Sequence, residues 1–167
     1  MKSIISILLA GTLQRYHTCP IDVKQALDSH SWEVAMFVLK LAPDCSKNLL
    51  IAALSHDLGE SVTGDVPSPC KRRSASLKKI LDTMEKSFLE FVELGPMLTA
   101  HEAIVLKEAD NLSGIWHCRK CELRGDSFAT EIKDKFISYL KPTASPTALK
   151  ILKEIQSYGK QKKSSKT

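Results

Sequence analysis

Along most of the chain apolar residues recur every three to four positions, the spacing that lines one face of an α-helix. From Asp28 to Leu41 this spacing is kept by Trp32, Ala35, Met36 and Leu39, with Asp28 or Ser29 as N-cap and Pro43 closing the segment. A helix is predicted there, with His30 in its first turn and Trp32 among its core residues. The segment from Asn48 to Asp57 carries LLIAAL, an apolar run that suits a buried strand or a buried helix; Ala52, Ala53 and Leu54 favour the helix. It delivers His56 and Asp57 at its end. Leu77, Ile80, Leu81, Met84, Phe88, Phe91 and Val92 predict an amphipathic helix over 76–94, stopped by Gly95 and Pro96. Further helices are predicted over 99–123, carrying Lys107 and Asp110, and over 126–140. Ser145-Pro146 and Gly159 mark the start and stop of the last one. Between Gly59 and Pro69 the turn-forming SVTGDVPSP reads as a loop holding Asp65. The fold class expected is all-α, a bundle of about six to seven helices.

The opening MKSIISILLAGTL has a lysine, an apolar run and a small-residue end, as a signal peptide does, but the run is short and broken by Ser3 and Ser6. It is read instead as a first helix packed by Ile4, Ile5, Leu8 and Leu9. No stretch reaches the roughly 18–20 apolar residues of a membrane span. At 167 residues, 43% hydrophobic and 26% charged, the sequence has the make-up of one ordinary globular domain and excludes collagen-like and low-complexity classes. A single domain is expected over 1–159, followed by a basic disordered tail at 160–167.

That tail changes the meaning of the net charge. Of the +5 total, Lys160, Lys162, Lys163 and Lys166 supply four, leaving +1 for the rest. Nucleic acid is therefore not the expected partner. Five cysteines, an odd and irregularly spaced set, point to a reducing cytoplasm rather than to a disulfide framework. Cys118 and Cys121 with His117 have part of a zinc spacing but no second ligand pair, and read as helix residues.

Candidate chemistry gathers at His30, at the adjacent His56-Asp57 and at Asp110 in KEADNL. Two imidazoles and two carboxylates form an N₂O₂ set suited to Mn²⁺, Fe²⁺, Co²⁺, Ni²⁺ or Zn²⁺, with Mg²⁺ possible although all-oxygen sites suit it better; because four protein ligands would close a tetrahedral zinc site, catalysis favours Mn, Fe or Co. Alone, His30 would be a capped surface histidine and Asp110 an ordinary helix acid. The ionisable pair at the end of an apolar helix is costly to bury unless hydrogen-bonded or bound to a cation. Glu60, four residues after His56, is placed to orient a water or take its proton.

The succession RY, H, HDLGESVTGD and KEAD, from about Leu13 to Trp116, resembles the HD-domain phosphohydrolases, in the branch of bacterial 5′-deoxynucleotidases and small phage-type dATP triphosphohydrolases. The resemblance implies that His30, His56, Asp57 and Asp110 are metal ligands, and that Glu60 and Asp65 organise the attacking water and the reacting end of the nucleotide. It implies Arg15 on substrate phosphate, a task suited to guanidinium's fixed fork of donors. Tyr16 stands where these enzymes usually carry a tryptophan against the deoxyribose, Thr18 where a side chain faces the base, and Lys71 and Lys107 near the phosphates. Arg72 and Arg73 are left without a role.

The reading that follows is a metal-dependent phosphohydrolase of 2′-deoxyribonucleotides, first a dATP triphosphohydrolase and second a 5′-deoxynucleotidase. The same resemblance implies a homo-oligomer, and the cysteine usage leads to an expected cytoplasmic location, a host's cytoplasm if phage-encoded. The rival from another class is a nucleotide- or nucleic-acid-binding module without turnover, supported independently only by the basic tail.

Overall fold

The computed structural model describes residues 2–160 of the chain. The tail expected at 160–167 lies, beyond its first residue, outside the described residues. Seven helices of nine residues or more run through them: α1 (Lys2–Ala10), α2 (Leu27–Leu41), α3 (Lys47–Ser55), α6 (Ala75–Phe91), α7 (Ala100–Glu122), α8 (Phe128–Leu140) and α9 (Pro146–Ser157). Two short helices, α4 (Glu60–Thr63) and α5 (Ser68–Arg73), bring the total above the six to seven expected, and both fall where the sequence read as a loop or a charged patch. Ser68-Pro69 opens α5 with proline in its first turn, the same start signal that Ser145-Pro146 gives α9. Asp65 stays on the turn between them.

A two-stranded antiparallel ladder, β1 (Gln14–Arg15) on β2 (Gln25–Ala26), precedes α2, pairing Arg15 with Gln25. It explains how α2 begins. The helix starts at Leu27 without a side-chain cap, because the Leu27 and Asp28 amides donate to Leu13 O and Gly11 O at 2.9 and 3.0 Å. Neither Asp28 nor Ser29 is needed as N-cap. Elsewhere side-chain caps close the first turns: Ser46 for α3, Ser74 for α6, Ser145 for α9, and Thr99 with Glu102 as a reciprocal capping box for α7.

The long helix α7 is the axis of the molecule. One face joins Val34, Ala35, Val38, Leu49 and Ala53 of α2 and α3 in a core cluster, while Leu112 and Ile115 pack with Ile137, Leu140, Leu152 and Ile155 of α8 and α9. Buried Glu108 on it takes both the amide and the hydroxyl of Ser145, at 2.5 and 2.9 Å, tying α7 to the start of α9.

Two expected packing faces are corrected. On α2 the buried side holds Leu27, His30, Ser31, Glu33, Val34, Ala35 and Val38, whereas Trp32 is 61% exposed, with Met36 and Leu39 beside it. This helix has apolar residues on several sides, and the polar stripe of His30 and Glu33 faces α7 because its partners are there. On α1, Ile4, Ile5, Leu8 and Leu9 are exposed, and Ile7 and Ala10 make the contact with Leu27, Leu58 and Phe88. Among the described residues no helix is long and apolar enough to cross a membrane.

Candidate active site

His30 is wholly buried in the first turn of α2, and His56 is the C-cap of α3, with Asp57 directly after it. Asp110 comes from the middle of α7. Their donor atoms converge. His30 Nε2 lies 3.3 Å from His56 Nε2, 3.5 Å from Asp57 Oδ2 and 3.5 Å from Asp110 Oδ1, and His56 Nε2 is 3.5 Å from Asp57 Oδ2. His30, His56 and Asp110 offer donor atoms that all lie within 4.8 Å of one another, a group that could hold a divalent metal ion, and Asp57 adjoins both imidazoles.

The protonation states suit that role. Burial, then the nearby Arg15 cation, pushes His30 below the usual imidazole range, keeping it neutral. Burial works against charge on Asp57 as well, but His56 and Arg15 hold its carboxyl well below the usual range. Asp110 is also held low against its burial, with Lys107 the largest favourable influence. The two rings are oriented from behind: His56 Nδ1 is 3.2 Å from Ala53 O and His30 Nδ1 is 2.9 Å from Ser113 Oγ.

Arg15, paired into the small sheet, reaches in from the side. Its Nη2 lies 3.8 Å from Asp57 Oδ2 and 4.0 Å from Asp110 Oδ1, while Nη1 is buried without a partner. Next to it opens a cavity of about 220 Å³ lined by Arg15, Tyr16, Thr18, Asp65, Arg72 and Phe136 among others. Tyr16 adopts a left-handed backbone (φ 63°), fastened by its amide donating to Asp65 Oδ2 at 3.1 Å. Its ring is buried, stacked on His117 at 5.1 Å and edge-on to Phe136, and its hydroxyl has no partner. Strain of this kind, over-determined by its surroundings, is typical of ligand-binding corners.

Glu60 is buried beside the cluster, with one oxygen taking Lys71 Nζ at 3.0 Å and the other unpartnered. Burial and the negative charge of Asp57 push it up to about 8, against the pull of Lys71. Lys71 also reaches Glu85 at 3.4 Å, and Lys107 sits 2.7 Å from Asp110 Oδ2 on the exposed side. Both lysines thus lean on carboxylates of the site. Thr18 is exposed at the pocket's edge, and His17 Nδ1 is 3.8 Å from Asp65. Sequence reading missed Glu33, Ser113 and Lys120 behind His30, and Glu85 beneath Lys71. A signal for the first group exists: His30 and Glu33 are three apart on α2, while Asp110, Ser113, His117 and Lys120 form a stripe along α7. Cys118 and Cys121 are buried and free, as helix residues should be.

Fold and site together define an HD-domain phosphohydrolase. The chain belongs to the YfbR-like family, described as 5′-deoxynucleotidase YfbR-like, which matches residues 10–95. It is 28% identical over 126 residues to a dATP triphosphohydrolase of Salmonella phage PMBT28, an alignment covering 66% of this chain and 62% of that relative's length. The fold is similar to that of the cyanophage S-2L HD phosphohydrolase DatZ, solved with dA and one catalytic Zn²⁺ ion: TM-score 0.69, 18% identity, 94% of this chain and 96% of the other. An HD-domain phosphohydrolase from Listeria innocua, lin2634, superposes with TM-score 0.72 at 18% identity, over 97% and 92% of the two chains.

Proposed function

We propose that the protein is a metal-dependent dATP triphosphohydrolase that releases deoxyadenosine and tripolyphosphate. The observation that carries this reading is Arg15, a residue lining the pocket with one guanidinium nitrogen 3.8–4.0 Å from Asp57 and Asp110 and the other buried without a partner. A buried, unpaired donor of a fixed cation calls for an anion, and a phosphate oxygen satisfies it.

His30, His56, Asp57 and Asp110 would hold a divalent ion, of Co, Mn, Fe or Zn, which supplies Lewis-acid polarisation of a phosphoryl oxygen and acidification of water. Arg15 binds the phosphorus group that carries O5′, and Lys71 and Lys107 offset charge on the remaining phosphates. The free oxygen of Glu60, in the fraction of molecules where its raised carboxyl is ionised, accepts the proton of the attacking water. Water adds its oxygen to the α-phosphorus, the bond from that phosphorus to O5′ breaks, and O5′ leaves as the hydroxyl of deoxyadenosine after taking up a proton. Tyr16 and Phe136 wall the sugar side of the pocket, Asp65 holds the Tyr16 corner, and Thr18 meets the base.

The second reading, a 5′-deoxynucleotidase, is favoured by the family description matched over residues 10–95. It breaks the same bond, from phosphorus to O5′, on a monophosphate. Incubation with dATP, ATP or dAMP plus Co²⁺ or Mn²⁺, followed by product analysis, separates the two. Tripolyphosphate from dATP is expected, and orthophosphate from dAMP with dATP untouched would transfer the assignment to the second reading. The exposed apolar residues of α1 and α2 further support a homo-oligomer.

A further inference from the structure

Behind His30 runs a chain of hydrogen bonds that the proposed reaction does not use. His30 Nδ1 is 2.9 Å from Ser113 Oγ, and that hydroxyl donates to Glu33 Oε2 at 2.9 Å. The same carboxylate accepts Gln25 Nε2 at 2.9 Å and, on Oε1, Lys120 Nζ at 2.6 Å. His30, Ser113, Glu33 and Gln25 are all buried, with Glu33 and Gln25 on the wall of a cavity of about 160 Å³ that Lys120 also lines.

Proton accounting fixes the direction of every bond. A carboxylate paired with an ammonium only accepts. The single Ser113 proton therefore goes to Glu33, and the Ser113 lone pair faces His30 Nδ1, which must carry the hydrogen. A neutral imidazole has one N–H, so Nε2 is left bare with its lone pair aimed at His56, Asp57 and Asp110. His56 needs no such chain, because its Nδ1 faces a backbone carbonyl, an acceptor that cannot change its role.

We infer that Glu33 is a positioning residue that sets the tautomer of His30 through Ser113, and thereby the affinity of the centre for its cation. The inference rests on the metal-centre reading given under Proposed function. Glu33→Gln is a nearly isosteric test with a definite sign. Lys120 still requires an acceptor, so the new amide turns its oxygen to Lys120 and its NH₂ to Ser113 Oγ. Gln25 satisfies the change by flipping, since its own Oε1 is buried without a partner. The Ser113 proton then turns to Nδ1, and the imidazole hydrogen moves to Nε2, where it blocks ligation.

Two readouts test this on the full chain. Long-range ¹H–¹⁵N correlation spectra of the metal-free protein are expected to place the His30 hydrogen on Nδ1 in the wild type and in Glu33→Asp, and on Nε2 in Glu33→Gln. Competition with a chelator, starting from Zn²⁺-loaded protein, is expected to show Glu33→Gln binding about 10- to 100-fold more weakly. Ser113→Ala, which removes the acceptor without reversing it, should weaken binding by less, and serves if circular dichroism shows that Glu33→Gln does not fold. A wild-type His30 protonated on Nε2, or variants with wild-type tautomer and Zn²⁺ affinity, would overturn the inference. A wild type that binds no Zn²⁺ contradicts the metal reading instead, and the tautomer comparison still decides the role of Glu33.

Discussion

Arg15 shows how much a single side chain can join in this molecule. It stands in the small sheet, its guanidinium 5.7 Å from the centre of the Tyr16 ring, and it spans the ligand cluster and the pocket. Hydrogen bonds to charged groups contribute roughly 1.5–3 kcal/mol. Arg15→Lys keeps the charge but loses the fork, and is expected to lower kcat/KM about 10- to 100-fold; wild-type kcat/KM would contradict the phosphate role. His117 makes a prediction about pH. Burial lowers its proton affinity in the folded chain, whereas the unfolded chain titrates near the ordinary value of about 6.5. Below about pH 6.5 the unfolded state binds more protons than the folded one, so the stability tied to neutral His117 is present above that pH and lost as pH falls. Thermal midpoints at pH 7.5 and 5.5 should differ less in His117→Gln than in the wild type. His30 shifts in the same sense, so some slope remains; an unchanged slope would remove His117 from the account. At this scale the sequence makes His56-Asp57 legible, because the pair follows an apolar run, but hides Glu33 and Ser113, whose meaning depends on which helix faces which.

At the scale of elements, legibility follows the locality of the signal. Ser145-Pro146, Thr99 with Glu102, and Gly159 at φ 83° are local grammar: α7 begins, and α9 begins and ends, where they say. The buried side of α2 is not local, and periodicity alone put Trp32 in the wrong place. Gly59 is an element-scale device that the motif HDLGE does not explain by itself. A Cβ there would lie 2.6–2.7 Å from Glu85 atoms, so the absence of a side chain lets α6 seat against the start of α4. That seat delivers Glu85 to Lys71, and Lys71 to Glu60. Gly59→Ala is expected to destabilise the fold by about 1–3 kcal/mol through overpacking, read as a fall of roughly 2–4 °C in Tm per kcal/mol. A variant with wild-type Tm would show that the approach of α6 relaxes at no cost.

The whole molecule is a bundle built around one helix whose part from Glu108 onward is largely interior. Because α7 supplies Asp110 to the front of the site and Ser113 and Lys120 to its back, core and centre form one structure. Its surface is less finished: Trp32, Met36 and Leu39 on α2 and four large aliphatic side chains on α1 are exposed, more than isolated apolar residues would account for. Light scattering on the wild type is expected to give a mass above that of one chain, and Trp32→Glu to shift it towards the monomer. A monomeric wild type would leave those faces unexplained by self-association.

The central claim is that two imidazoles and two carboxylates close on one cation. Co²⁺ binding measured by equilibrium dialysis, on the wild type and on Asp110→Asn, addresses it directly. One ion per wild-type chain, with affinity at least about tenfold weaker in Asp110→Asn, is the predicted result; no bound ion, or equal affinity in the two proteins, would contradict it.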